Sequence, residues 1–211
     1  MNKIIQKSLQ IASFNNIVYY TNKCNKQLMT FDDSIGVDPI GVLSVLNKYN
    51  VSSIFFLTGE YIMLNQAVVK QAVSDGHKIY NHSMNHDNFN ELSYREIVIS
   101  IKSTQKLIEK IAKSNDRIIR PPYGILNLKV IFACLLNKFK IMMWSSRGYE
   151  FAGLNKHQLL QNYLSQTTKC NNQIILMHPN MAESYEILEQ LIIHKINEGI
   201  EFAHPEEIYG K

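Results

Sequence analysis

Short apolar runs alternate with longer segments of helical periodicity along most of the chain. Seven apolar runs predict strands, in order LMTF, SSIFFLT, HKIYN, RIIR, IMMW, QIILM and IEFA. Between them, apolar residues at helical spacing predict helices near residues 39–49, 65–75, 93–113, 127–138, 156–168 and 184–198. This alternation is typical of an α/β fold with a parallel sheet and right-handed crossovers, either a barrel or an open doubly wound sheet.

Several predicted helices carry boundary signals. Asp38 followed by Pro39 is typical of a cap with proline in the first turn, and Ser93 with Glu96 forms a capping-box pattern. Gly76 and Gly199 are placed to end helices before the next strand.

The composition fits one domain or two small ones with a sizeable core, since 45% of the 211 residues are hydrophobic. The net charge of +4 is mildly basic, but the cations are scattered, so the sequence does not indicate a nucleic-acid partner. Four lysines at helical spacing predict a solvated helix face: Lys102, Lys106, Lys110 and Lys113.

No segment approaches the roughly 20 apolar residues that a membrane-spanning helix requires, so none is predicted. The N-terminus has a basic residue at Lys3, but Gln6, Lys7 and Gln10 interrupt the apolar stretch that a signal peptide would contain. The sequence therefore gives poor support for a signal peptide.

The three cysteines have no short metal-type spacing. Cys134 lies in an apolar helical segment and is predicted to be a core residue. Cys24 and Cys170 each lie shortly before a predicted strand, and both a disulfide and a pair of free thiols are compatible with that placement.

Polar residues follow most of the predicted strands, at the end where parallel α/β folds place their active sites. They include Asp32 and Asp33 after the first strand, His82 and His86 after the third, the segment RPPYG from Arg120 after the fourth, SSRGYE after the fifth, and His178 after the sixth. Each has an ordinary explanation, such as a core histidine, a helix cap or a rigid turn. Their joint occurrence at one rim favours a functional site.

The rim residues are suited to a metal centre. His82 and His86 are four positions apart, which would bring both imidazoles to one side of a helical turn. One carboxylate would complete three ligands and leave positions open for water and substrate, as in a catalytic site. Of the two adjacent aspartates, one could then bind the ion and the other could act as general base.

Five segments resemble, in order, the five motifs of NodB-like polysaccharide deacetylases, carbohydrate esterase family 4. They are TFDD, NHSMNH, RPPYG, the stretch opening with Trp144, and ILMH. The resemblance extends from about Val18 to Tyr209, which predicts an N-terminal extension over 1–17 and a NodB-like domain over 18–211. It implies a distorted (β/α) barrel of seven to eight units. It also implies metal-dependent removal of acetyl groups from N-acetylated polysaccharide, in a secreted or wall-associated setting.

The resemblance also implies roles for individual residues. Asp33, His82 and His86 would hold one divalent ion, most plausibly zinc, with Asp32 as general base and His178 as general acid. Arg120 would hold the base, and the backbone N–H of Tyr123 would assist the oxyanion. The substrate pocket would comprise Pro121, Trp144, Phe151 and Leu176.

Four positions depart from the family pattern. Ser34 replaces a glycine, Glu150 replaces an aspartate and Phe151 replaces the pocket tryptophan. Arg147 occupies the position expected for the aspartate that supports the catalytic histidine. A guanidinium beside His178 would lower the pKa of the imidazole and make it a poor acid.

These departures leave two hypotheses. One is an active deacetylase of a chitin-like or other N-acetylglucosamine-containing polymer, in which Glu150 takes over the missing role. The other is a pseudoenzyme that retains the metal and binds glycan. A non-haem iron oxygenase would use similar ligands, but its usual antiparallel barrel does not match this strand-helix alternation.

Overall fold

A computed structural model describes residues 16–21, 26–148, 150–167 and 172–208, without the side chains of Phe151 and Thr167. The strands are β1 (Ile17–Val18), β2 (Lys26–Asp33), β3 (Ile54–Leu57), β4 (Lys78–Asn81), β5 (Ile118–Ile119), β6 (Lys140–Met142), β7 (Ser146–Arg147), β8 (Ile174–Met177) and β9 (Glu201–Phe202). The helices are α1 (Pro39–Lys48), α2 (Gly59–Leu64), α3 (Gln66–Ser74), α4 (Tyr94–Ala112), α5 (Leu128–Leu136), α6 (Lys156–Thr167) and α7 (Ser184–Asn197).

The strands form one curled parallel sheet. Across the described residues the order is β1-β6-β5-β4-β3-β2-β8-β7, and β9 pairs with β2 off this path. All these pairings are parallel, with Phe31 opposite Phe55 between β2 and β3 and opposite Met177 between β2 and β8. The carboxyl ends of the strands therefore share one rim, as the alternating sequence pattern predicts.

The segment between β6 and β7 links the two edges of the sheet. The N–H of Met143 donates to the carbonyl of Val18 at 2.7 Å, and the N–H of Ser145 donates to the carbonyl of Ile174 at 3.0 Å. Because these bonds tie β1 on one edge to β8 beside the other, the sheet curls into the distorted barrel expected from the family resemblance.

The central strands β3 and β8 are apolar on both faces because one face fills the barrel interior and the other packs beneath the helices. Phe31 and Phe55 stack with ring centroids 4.8 Å apart inside the cluster covered by α1, α3 and α7. Cys134 is fully buried in a second cluster, which confirms its prediction as a core residue. The predicted solvated face of α4 is also confirmed, since Lys102, Lys106 and Lys110 are exposed, as is Lys113 just after the helix end.

Most predicted element boundaries agree with the structure. The side chain of Asp38 accepts from the N–H of Gly41 at 2.9 Å. Ser93 and Glu96 form the predicted capping box. The sequence reading missed α2 and the two-residue strands β1 and β7, which are too short to show a period. Cys24 and Cys170 lie outside the described residues, so their pairing stays open.

Within the described ranges, no helix combines the length and the apolar character needed to cross a bilayer.

Candidate active site

Three ligating side chains converge at the rim of the barrel. One atom each from Asp33, His82 and His86 lies within 4.8 Å of the others. Oδ1 of Asp33 is 3.3 Å from Nε2 of His82 and 3.2 Å from Nε2 of His86. Asp33 ends β2, and both histidines lie in the loop after β4, the strand that follows β3 in the sheet.

Left-handed backbone conformations aim these side chains. Asp33 has φ 71°, Ser83 has φ 68° and His86 has φ 58°, in a region that side-chain-bearing residues seldom occupy. Hydrogen bonds hold the histidine loop, since the N–H of Ser83 donates to Oδ1 of Asn81 at 2.9 Å and the N–H of His86 donates to Oγ of Ser83 at 3.1 Å. Such strain is typical of functional sites, where surrounding contacts stabilise it.

The surroundings of the cluster fit a cation. Nδ1 of His82 lies 2.6 Å from the carbonyl of Arg120, which can only accept, so Nδ1 carries a proton and Nε2 is turned towards Asp33. Oδ1 of Asp33 is buried and has no hydrogen-bond donor among the described residues. Two imidazole nitrogens that converge on one carboxylate oxygen form a donor set that suits a divalent ion.

Electrostatics around the cluster agree with that arrangement. Burial by itself raises the pKa of Asp33, but the neighbouring imidazoles of His82, His86 and His178 outweigh it, and the pKa is lowered. Burial lowers the pKa of His86. Both shifts favour the deprotonated forms that bind a metal ion.

Asp32 lies beside the cluster, and Arg120 fixes its side chain. Nη1 of Arg120 donates to its Oδ1 at 2.6 Å, while Oδ2 is 3.8 Å from Nε2 of His82. Arg120 is fully buried and also donates to Thr30, Met142 and Met143, with its guanidinium 4.1 Å from the ring centroid of Phe56. One carboxylate oxygen is thus fixed by Arg120 and the other is turned towards the site.

His178 follows β8 on the opposite side of the cluster and contacts Glu150. The N–H of His178 donates to Oε1 of Glu150 at 2.9 Å, and its Nδ1 is 3.4 Å from Oε2. Burial lowers the pKa of His178, but the hydrogen bond to Glu150 and the charges of Asp32, Glu150 and Asp33 outweigh it, and the pKa is raised. The raised pKa favours the imidazolium form.

These groups face one cavity of about 540 Å³. Its walls are Asp32, Asp33, His82, His86, Tyr123, Gly124, Trp144, Arg147, Leu176 and His178. The ring of Tyr123 stands edge-on to that of His86 with centroids 4.5 Å apart. Gly124 has φ 67°, and a Cβ there would lie 2.6 Å from Cη2 of Trp144, so only glycine allows this close approach.

The family model for polysaccharide deacetylase matches residues 20–140, more than half of the chain. The chain belongs to the polysaccharide deacetylase family. It is 30% identical over 192 residues to the peptidoglycan-N-acetylglucosamine deacetylase PgdA of Listeria monocytogenes, covering 90% of this chain and 40% of that protein. It therefore spans less than half the length of this relative.

Solved structures of the family share the fold. A mutant of a Bacillus anthracis CE4 family pseudoenzyme with restored enzymatic activity superposes with a TM-score of 0.83 at 25% identity, covering 92% of this chain and 71% of that one. A family 4 carbohydrate esterase from Bacillus anthracis superposes with a TM-score of 0.82 at 21% identity, covering 99% and 93%. The distorted barrel predicted for this member of the polysaccharide deacetylase family is confirmed.

Two local predictions within this family member are wrong. His82 and His86 do not share a helical turn, because the loop that carries them has no helical assignment and depends on left-handed residues. The expectation that Arg147 lowers the pKa of His178 is also wrong, because carboxylates raise that pKa. The exposed side chain of Arg147 places its guanidinium 5.9 Å from the ring centroid of Trp144.

Of the remaining predicted site residues, the structure describes Ser34 and Pro121 but not the side chain of Phe151. Ser34 needs no glycine-like conformation, because the positive φ falls on Asp33. The Oγ of Ser34 accepts from the N–H of Gly36 at 3.1 Å. Pro121 is buried and is not among the described residues that line the cavity. The side chain of Phe151 lies outside the described part of the chain.

The sequence reading missed Tyr163, which α6 places behind Glu150. Its hydroxyl donates to Oε1 of Glu150 and lies 3.3 Å from the carbonyl of Leu176. Leu159 and Tyr163 are both buried on the face of α6 that contacts the barrel. A tyrosine on the core-facing side of a helix usually has a hydrogen-bond partner for its buried hydroxyl, and this was the sequence signal that could have pointed to Tyr163.

Proposed function

We propose that this chain is a metal-dependent deacetylase that hydrolyses N-acetyl groups of an N-acetylglucosamine-containing polysaccharide and releases acetate. The observation that carries this proposal is the joint arrangement in one cavity of a two-histidine, one-aspartate cluster, a buried carboxylate beside it, and a histidine of raised pKa opposite. Amide hydrolysis requires these three functions.

Asp33, His82 and His86 would hold a divalent ion, for which zinc is the best match to two imidazoles and one carboxylate. When bound, such an ion supplies Lewis acidity towards the acetamide carbonyl and lowers the pKa of water. The chain's own residues provide the rest of the chemistry.

Asp32 would accept the proton from the attacking water through Oδ2, since Arg120 already occupies Oδ1. His178, whose pKa is raised by Glu150 together with Asp32 and Asp33, would donate a proton to the departing amine. The backbone N–H of Tyr123 is the proposed oxyanion donor. Trp144 and Leu176 line the cavity and would contact the acetyl group or the sugar.

Two polymers are candidate substrates, chitin-like chains and peptidoglycan. Relatives from Listeria monocytogenes and Bacillus cereus are named peptidoglycan-N-acetylglucosamine deacetylases, which supports peptidoglycan as the polymer to test first. N-acetylated chito-oligosaccharides serve as short, soluble substrates with the same acetamide group.

The alternative function is a pseudoenzyme that keeps the metal and binds glycan. A structural neighbour described as a pseudoenzyme and the presence of Arg147 in the fourth motif support it. The contact between Glu150 and His178 favours the active enzyme, because a carboxylate supports the acid in the way that an aspartate is expected to do in the family.

Acetate release by the zinc-loaded protein tests the proposal. Peptidoglycan and chito-oligosaccharide should both be assayed, with chelator-treated protein and the Asp32→Asn variant as controls. The expected result is metal-dependent release that Asp32→Asn lowers by roughly 10²- to 10⁴-fold. Stoichiometric metal binding without release from either substrate would establish the pseudoenzyme instead.

A further inference from the structure

Glu150 has a second hydrogen-bond donor besides His178, and it comes from a different element. Its Oε1 accepts both the N–H of His178, at 2.9 Å, and the hydroxyl of Tyr163, while Oε2 faces Nδ1 of the same histidine. The carboxylate is buried, so each oxygen needs a partner in place of water. Tyr163 supplies the only one of these contacts that originates on α6.

Tyr163 also connects Glu150 to the strand that carries the histidine. The Tyr163 hydroxyl lies 3.3 Å from the carbonyl of Leu176, two residues before His178. Burial raises the pKa of Tyr163 well above its usual value, so the phenol stays protonated and acts as a donor. One buried hydroxyl therefore contacts the side chain that supports His178 and the backbone that leads to it.

The segment that carries Glu150 is shaped around this tyrosine. A Cβ on Gly148 would lie 2.3 Å from Cε2 of Tyr163, a distance that would force the ring to move. The neighbouring Asn162 donates from Nδ2 to the carbonyl of Gly148 at 3.1 Å. Consecutive residues of α6 thus hold Gly148 and Glu150, and Gly148 leaves room for the ring.

We propose that Tyr163 is a positioning residue of the proton-donating half of the site: its buried hydroxyl fixes the Glu150 carboxylate so that Glu150 can orient and charge His178. The proposal rests on the proposed function, because it concerns the acid step of amide hydrolysis. Tyr163 is not among the described residues that line the cavity, so it would act through Glu150.

Two substrates with different leaving groups test this role. An amide needs its amine protonated on departure, whereas 4-nitrophenyl acetate releases a stable phenolate and needs no acid. Tyr163→Phe should lower kcat on chito-oligosaccharide on the order of 10-fold, with KM and 4-nitrophenyl acetate hydrolysis unchanged. Equal losses on both substrates, or no loss on the amide, would overturn the proposal.

Two further variants separate positioning from general damage. Tyr19→Phe is the matched control, because Tyr19 is equally buried and its hydroxyl has no hydrogen-bond partner among the described residues. It should leave both activities unchanged. In a Glu150→Ala background, Tyr163→Phe should cause no additional loss, because Tyr163 acts only through the carboxylate. An additive loss would contradict that route.

A measurement that does not depend on turnover keeps this inference separate from the proposed function. In the zinc-loaded protein, at a pH where the imidazole is neutral, ¹H–¹⁵N NMR reports which ring nitrogen of His178 carries the proton, with His178→Gln for assignment. The proton should lie on Nδ1 in the wild type and become shared between the nitrogens in Tyr163→Phe. An unchanged tautomer would refute the positioning role, whereas a wild type inactive on both substrates would refute only the proposed function.

Discussion

The two proton-transfer groups of the site are supported in different ways. Asp32 lies on β2 and is held by Arg120, whose buried guanidinium contacts Thr30 on β2 and the backbone of Met142 and Met143 at the end of β6. His178 follows β8 and is held by Glu150, which belongs to a single 3-10 turn and depends on α6 for a second donor. The base side is anchored in the sheet, and the acid side is anchored in loops and one helix.

This difference bears on what each side can tolerate. On the base side the same residue serves two functions, because the side chain of Arg120 holds Asp32 and its carbonyl holds His82. A change there would disturb the base and a metal ligand together. On the acid side, the hydrogen bonds to His178 come from Glu150 and not from Arg120, so we expect changes at Glu150 to leave the metal cluster intact.

Loss of two ligands should have the largest effect. The variant His82→Ala with His86→Ala leaves Asp33 as the only predicted ligand and should abolish stoichiometric metal binding and all turnover. Metal content measured by plasma mass spectrometry after gel filtration checks this, with the exposed His157→Ala as control. Near-stoichiometric metal in the double variant would rule out the assigned centre.

Substitutions of the two adjacent aspartates should have different effects on metal binding and turnover. Asp33→Asn should weaken metal binding, because Asp33 faces both imidazoles. Asp32→Asn should retain the metal and lower turnover by roughly 10²- to 10⁴-fold, the usual contribution of a general base. Isothermal titration with zinc and acetate release give the two readouts. Equal metal loss in both variants would show that the roles are misassigned.

Replacing Glu150 should affect the acid step alone. The Glu150 carboxylate helps to raise the pKa of His178, and the active imidazolium is lost as the pH rises through that pKa. Glu150→Gln lowers the pKa, so the alkaline limb of the kcat–pH profile should move to lower pH and amide turnover should fall roughly 10- to 100-fold. Metal binding should be unchanged. Glu150→Asp, which keeps the charge, is the matched control, and an unmoved limb in Glu150→Gln would contradict the assignment.

Sequence reasoning succeeded where periodicity and chain order determine the structure. The apolar runs placed the main strands, and parallel strands necessarily bring their carboxyl ends to one rim, so Asp32, Asp33, His82, Arg120 and His178 were grouped correctly. The reason given for the histidine pair was wrong, because a spacing of four suggests a helical turn. The chain instead uses left-handed residues at Ser83 and His86.

The acid side was less predictable for a physical reason. Motif spacing placed Arg147 opposite the histidine, but side chains near a strand end are redirected by the turn that follows, and the 3-10 turn at Glu150–Ala152 brings the glutamate there instead. Tyr163 lies 13 residues from Glu150 on an amphipathic helix, where it is indistinguishable in sequence from a core residue. Only the packing of α6 against the barrel reveals its contact.

The smallest effect is expected at Arg147. Its exposed guanidinium lies 5.9 Å from the Trp144 ring centroid, and exposed contacts of this kind contribute about 0.5–1 kcal/mol. Arg147→Ala should therefore change KM by at most roughly fivefold, while kcat and the alkaline limb stay as in the wild type. Arg147→Asp tests the same point with reversed charge and should not increase turnover, since Glu150 already supports His178. A rise in kcat with either variant, or an alkaline limb moved to higher pH, would show that Arg147 suppresses the acid and that the two halves of the site are not independent.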